Sequence, residues 1–351
     1  EGGEGGEGGE GGEGGEGGER SLRGNRHGVS VDDDALVTFW LRKSLSKHHH
    51  RSSRNDDEIV RWSASLEMNS VGGWNGSLDG LTVRYDAPWP INIVLDGEAS
   101  RAYNGILRWL LRVKRCKASL DRTHLQVKRT MRRVEREKKE RILHRDGTSL
   151  SMRLHRCCIV LSELLHFVNN VHAYMMDCAV RAEWSTFSRE VEETAASSVE
   201  TGPKTVASET RPPPPPPSSM SLDEVRRKHL QLLWSIEEQC LLHERSSVAR
   251  KQVVKMFQFA HRACRATQEY MHAATEIVQF STEQDVRGRG RTERPMRSLE
   301  EIVGNFQRTI RFLIVLMKST MRNSHGGGAS LFVTSILTTV DFSDFYGRKK
   351  N

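Results

Sequence analysis

Hydrophobic and polar residues change their spacing several times along the chain, and each change marks a boundary. From Trp74, the stretch WNGSLDGLTVRYDAPWPINIVL places turn-forming residues first and β-forming residues after them, so short extended segments are predicted. A proline disfavours the α-region for the residue before it, so 86–90 reads as extended. Pro88, Trp89 and Pro90 then form a rigid extended link, with Trp89 as an apolar anchor on whatever follows. Asp96 can cap a helix, and Glu98 suits the positive end of that helix. The helix itself spans about 97–122. At 100° per residue, Tyr103, Ile106, Leu107, Leu110, Val113 and Leu120 share one apolar sector, and Arg101, Arg108, Arg112, Arg115 and Arg122 fall opposite. The helical signal extends into KRTMRRVEREKKER, a charged and solvent-facing run.

A second helix is predicted over 152–181, where Cys157, Leu161, Leu164, Val168, Val171, Met175 and Cys178 recur at steps of four and three. Residues 185–219 read as a break ending in six prolines, Pro212 to Pro217, for which polyproline II is the expected state. Ser221 and Glu224 have capping-box spacing, followed by Leu222, Val225, Leu232, Leu233, Ile236 and Cys240 on one side. A helix over 247–280 carries Val253, Phe257, Ala260, Cys264, Met271, Ala274 and Val278. Residues 281–297 read as a basic loop. Ser298 and Glu301 then open a helix with Leu299, Ile302, Phe306, Ile310, Leu313 and Met317 on its apolar face, and SHGGG at 324–328 ends it. A short helix over 329–340 leads into DFSDFY. The predicted fold class is all-α: an elongated bundle of about six helices entered by the short extended Pro-Trp-Pro segment, with disordered tails and insert.

Composition separates what folds from what does not. Residues 1–18 are six EGG triplets, in which glycine is costly to order and glutamates repel one another. Residues 1–73 are therefore expected to be low-complexity and disordered, except for a helical remnant at 31–45 around ALVTFWL. The two halves of the helical domain fall at 74–182 and 221–348, with a disordered Pro-rich insert at 183–220. His48, His49 and His50 sit in a Ser/Arg-rich loop and read as solvated rather than metal-binding. Six cysteines without a C-x-x-C pair read as reduced thiols in a cytosolic chain. The longest apolar run near the end, FLIVLM, is too short to span a bilayer.

Candidate chemistry is sparse. The sequence carries no H-E-x-x-H pair, G-x-S-x-G elbow, phosphate loop or kinase motif, so no enzyme and no cofactor are expected. Net charge is +8, and residues 108–145 hold fifteen Lys/Arg against four acidic residues. A solvated helix face, a phosphate-binding face and a contact for an acidic protein all fit that pattern. Residues 110–145 contain no Phe, Trp or Tyr for base stacking, which argues against single-stranded nucleic acid.

The order of these features resembles the gamma-tubulin complex protein family, in its carboxy-terminal γ-tubulin-binding domain. The motifs that carry the resemblance are Trp74 and Leu78, then Tyr85, Trp89 and Pro90, then Tyr103, Ile106 and Leu107. They continue with Leu110, Leu111, Val113, Lys114 and Arg115. Ser221–Glu224, Cys240–Leu242 and the tail Val340, Asp341, Phe342, Phe345 and Tyr346 complete them. The likeness covers about 74–180, 221–280 and 298–346. His124 stands where the family carries a tryptophan. The family's upstream helical domain has no counterpart before Trp74, which suggests a truncated or incomplete member.

The resemblance implies a non-enzymatic component that binds γ-tubulin and other gamma-tubulin complex proteins in microtubule nucleation. It implies a place in the cytoplasm and cytoskeleton, at microtubule-organising centres and spindle poles. Tubulins are acidic, so Arg108, Arg112, Lys114 and Arg115 become contact candidates by charge complementarity. Tyr85, Trp89, Pro90, Tyr103, Asp341 and Tyr346 are structural. A basic helical nucleic-acid binder is the alternative reading.

Overall fold

The computed structural model describes residues 61–66, 80–139, 146–199, 220–279, 285–323, 328–341 and 346. The EGG tract, the 31–45 segment, His48 to His50, Trp74, Leu78, the six prolines, Phe342 and Phe345 lie outside the described residues.

Two strands come first. β1 (Arg61–Leu66) pairs antiparallel with β2 (Leu81–Asp86), with Trp62 opposite Tyr85, Ala64 opposite Val83 and Leu66 opposite Leu81. Residues 61–66 thus form a strand within 1–73, a stretch expected to be disordered apart from the 31–45 remnant. RWSASL alternates with period two, and its apolar positions stand opposite those of β2.

After β2 the chain turns at Trp89 and Pro90, across a cis peptide bond, into the one-turn helix α1 (Ile91–Val94). Two expectations are corrected here. INIV is helical rather than extended, and Trp89 is 79% exposed rather than an anchor. The hairpin is held by other groups. Leu81 is fully buried, and the Asn104 amide accepts from Val83 N–H at 2.7 Å and donates to Val83 C=O at 2.9 Å.

α2 (Gly97–Lys139) runs 43 residues, taking in the charged stretch that followed the predicted helix. Asp96 caps it: Oδ1 accepts from the N–H groups of Glu98 and Ala99, both at 2.9 Å, and Oδ2 accepts from Arg226. These bonds hold the Asp96 carboxyl below its ordinary 3.8, chiefly through the Ala99 N–H and then through Arg226. A lowered carboxyl pKa stabilises the fold above the unfolded value, and that share is lost as pH falls through the folded one. Stability should therefore fall below about pH 4, and Asp96→Asn should remove part of that slope, as urea titrations across pH would show.

α3 (Asp146–Ala173), a π-helical segment (Tyr174–Ala182) and α4 (Glu183–Val199) form one continuous helical run. The expected break at 183 is corrected: helix persists to Val199, in a stretch without Gly or Pro. Trp184 stacks near Phe187, which in turn lies 5.8 Å from the His229 ring. The wider π turn also changes which residues face inward. Cys178, expected inside, is exposed, while Ala179 is buried.

α5 (Leu222–Gln239) starts as read, with Ser221 Oγ accepting from Glu224 N–H. α6 (Ser247–Gln279) follows a short 3-10 turn. α7 (Asp285–Asn323) begins well before the capping box at Ser298. Pro295 lies inside it, where proline costs about 3 kcal/mol. Packing offsets that cost. Thr292, Met296 and Leu299 are buried, Arg153 donates to Thr292 Oγ1, and the Cys157 sulfur lies 3.8 Å from that of Met296. α8 (Gly328–Val340) closes the bundle.

α6 packs most extensively on α7, and α2 on α3 and α6. Buried residues from Ala99–Ala179 and from Leu232–Tyr346 form one core cluster, so the segments on either side of 200–219 fold together. Trp109 meets Phe257 at 6.0 Å between α2 and α6, and Phe167 meets Phe306 edge-on between α3 and α7. The tail is tied in by polar contacts. Tyr346 O–H donates to Glu163 at 2.9 Å, and its N–H donates to Asp341. Tyr346→Phe should lower stability by about 1 kcal/mol in denaturant titration, since Glu163 keeps Gln307 as a donor.

Candidate functional site: a basic groove between two helices

The buried face of α2 decides where its cations point. The residues that pack are Ile106, Trp109, Val113, Cys116, Leu120, Val127 and Val134. That face is rotated from the predicted one toward Trp109 and Cys116, leaving Tyr103 at its edge, hydrogen-bonded to His229 at 2.7 Å. The rotation brings Arg112 against α6 instead of leaving it opposite the core. Burial, and then the neighbouring Arg250, pull the Arg112 guanidinium below its ordinary value.

Arg250 is set by the turn before α6. Leu241 adopts φ 61°, and Arg250 Nη1 donates to the carbonyls of Leu241 at 3.3 Å and Leu242 at 2.5 Å. Arg245 completes the corner, lying over the Trp234 ring and pairing with Glu238. Between α2 and α6 opens a groove of about 360 Å³ lined by Arg112, Arg250, Lys251, Gln252, Val254, Lys255 and Gln258. Its lining has four cations and no carboxylate. Further along, burial with Arg115 and Arg265 keeps His261 below its ordinary value, so Arg115 faces the α6 flank as well.

The four residues read from the sequence therefore divide. Arg112 and Arg115 lie toward α6, and Arg108 lies one turn before Arg112 and is half-buried. Lys114 is exposed on the α3 side, where His172 is held below its ordinary value by burial first and then by Lys114 and Lys117. Arg250, Lys251 and Lys255 were missed. Their i, i+1, i+5 spacing was legible, but α6 was read only for its apolar register.

The chemistry available is recognition of anions. Burial raises the buried thiols, Cys264 to about 11 and Cys157 and Cys240 to about 12, so they are poor nucleophiles. Among the described residues no group of three His, Cys, Asp or Glu is placed to hold a metal, and no helix is long and apolar enough to cross a membrane.

Comparison with known proteins places most of the sequence in one family. Residues 29–346 match the family described as "Gamma tubulin complex component C-terminal". The match starts upstream of Trp74, where the sequence resemblance was read. The chain is 28% identical over 193 residues to "Gamma-tubulin complex component 5" of Mus musculus, covering 52% of this chain and 16% of that protein. It is 26% identical over 193 residues to "Gamma-tubulin complex component 5" of Macaca fascicularis, covering 52% and 23%. It is 20% identical over 313 residues to "Gamma-tubulin complex component 3" of Arabidopsis thaliana, covering 85% and 34%. The chain thus spans between 16% and 34% of the length of these relatives. The family match nevertheless takes in most of the chain, and the protein belongs to the gamma-tubulin complex component C-terminal family.

Proposed function

We propose that this protein is a non-enzymatic component of a gamma-tubulin complex, binding γ-tubulin through its helical bundle and acting in microtubule nucleation. The observation that carries this reading is the family match across 29–346, which takes in all the described helices. The segments 74–182 and 221–348 act as one γ-tubulin-binding domain, a reading supported by their shared core. Its partners are γ-tubulin and other gamma-tubulin complex proteins, and its place is the cytoskeleton at microtubule-organising centres and spindle poles. The part played by this chain is to hold a partner, so no cofactor enters the mechanism.

The basic groove supplies the contact. Arg112 and Arg115 from α2, with Lys251 and Lys255 from α6, meet acidic side chains, while Arg250 holds the corner that presents them. Arg108 extends the contact by one turn, and Lys114 meets the partner where it wraps onto the α3 side. Partial desolvation of Arg112 strengthens its pairing with an incoming carboxylate.

The test is capture of purified γ-tubulin by the full chain with a duplex DNA fragment as competitor. Saturable capture that persists under excess duplex is expected. Capture of the duplex with none of γ-tubulin would replace this reading with the nucleic-acid one.

A further inference from the structure

We propose that the groove between α2 and α6 is a site for a doubly charged phosphate group, carried by a phosphorylated side chain of a protein partner. That γ-tubulin or another complex component supplies the group rests on the proposed function, but the phosphate site itself does not.

The polar walls of the groove are rich in donors. On α6, Arg250, Val254 and Gln258 follow at steps of four and form one stripe of the lining. Lys251 and Lys255, also four apart, form the next stripe and are exposed at the rim. Gln252 and Gln258 add amide N–H groups, and Val254 is the one apolar side chain of the lining. With no carboxylate in that lining, every formal charge a ligand meets there is positive.

Two of the cations are positioned before any ligand arrives. Arg250 is anchored through Nη1 to the carbonyls of Leu241 and Leu242, and a guanidinium has further N–H donors beyond those two bonds. Arg112 reaches the groove from α2, half-buried, and lies near enough to Arg250 for the two to repel. An anion between them relieves that repulsion.

Charge then selects phosphate over carboxylate. A carboxylate brings one charge to four cations, whereas a phosphate monoester brings about two charges and three acceptor oxygens. Clustered arginines and lysines read phosphorylated side chains in this way, and a cleft of one sign concentrates anions. The site is a surface groove with both lysines exposed, so a group presented by another protein can reach it.

The experiment titrates the full chain with a capped Ala-phosphoserine-Ala peptide, with capped Ala-Glu-Ala and with inorganic sulfate. The phosphopeptide should bind one per chain, about tenfold more tightly than the glutamate peptide. Lys251→Gln/Lys255→Gln should weaken it about tenfold. Arg129→Gln/Arg132→Gln removes the same charge from exposed positions of α2 outside the lining, and should leave affinity within about twofold. Equal losses in the two variants, or equal affinities for the two peptides, would overturn the proposal. Saturable sulfate binding with none of the phosphopeptide would overturn the protein partner in favour of a free anion.

A pH series reads the second charge. From about pH 7.5 to about pH 5 the monoester takes up a proton, with a pKa of about 6, so phosphopeptide affinity should fall several-fold. Sulfate stays doubly charged and should not follow. Arg112, Arg250, Lys251 and Lys255 keep their charge over that range. Protonation of His243, His261 or Glu237 around them would add positive charge and act the other way. A phosphopeptide affinity that does not fall would overturn the selection for a dianion. None of these probes involves γ-tubulin, so this inference and the proposed function fail separately.

Discussion

Trp109→Ala is expected to destabilise the protein by about 4 kcal/mol, lowering Tm by about 10 °C. Trp109 is 2% exposed and packs against Phe257, at the point where α2, the helix that forms one wall of the groove, meets α6. Removing the indole leaves a cavity that two long helices cannot collapse to fill. Trp109→Phe should cost far less, about 1–2 kcal/mol, because most of the buried volume remains. That variant also removes an indole N–H that is buried with no acceptor among the described residues. Calorimetry on the two variants checks the account. Equal losses would mean that the cavity is not the cause.

The second large effect concerns binding. Reversing Arg112, Lys251 and Lys255 to glutamate should weaken γ-tubulin affinity on the order of a hundredfold, because like charges then face each other across the contact. Arg112 is half-buried, so the exposed pair Lys251→Glu/Lys255→Glu serves as a second variant and should retain an intermediate loss of about tenfold. Arg181→Glu reverses one cation on the π-helical segment, outside the groove lining, and should have little effect. Circular dichroism shows whether each variant keeps its helices. If all three proteins bind alike, the groove is not the contact.

The sequence made the helices legible wherever one apolar face dominates. All six apolar positions read for α7, from Leu299 to Met317, are buried. The Ser221 cap was legible for the same local reason. Features set by tertiary packing were not. The register change at the π segment exchanges Cys178 for Ala179, and nothing in a periodic pattern encodes a wider turn. Residues 281–297 read as a basic loop, yet the helix starts at Asp285 and runs through Pro295 because Thr292 and Met296 pack on α3. The candidate site was half legible. Arg112 and Arg115 followed from charge clustering on α2, whereas Lys251 and Lys255 joined them only through the α2–α6 contact.

An equilibrium titration of purified γ-tubulin with the full chain decides whether this bundle binds γ-tubulin. Saturation is expected at one chain per γ-tubulin, with an affinity that weakens as salt rises because charged side chains make the contact. A chain that is helical and melts cooperatively, yet shows no saturable binding at low salt, would contradict it.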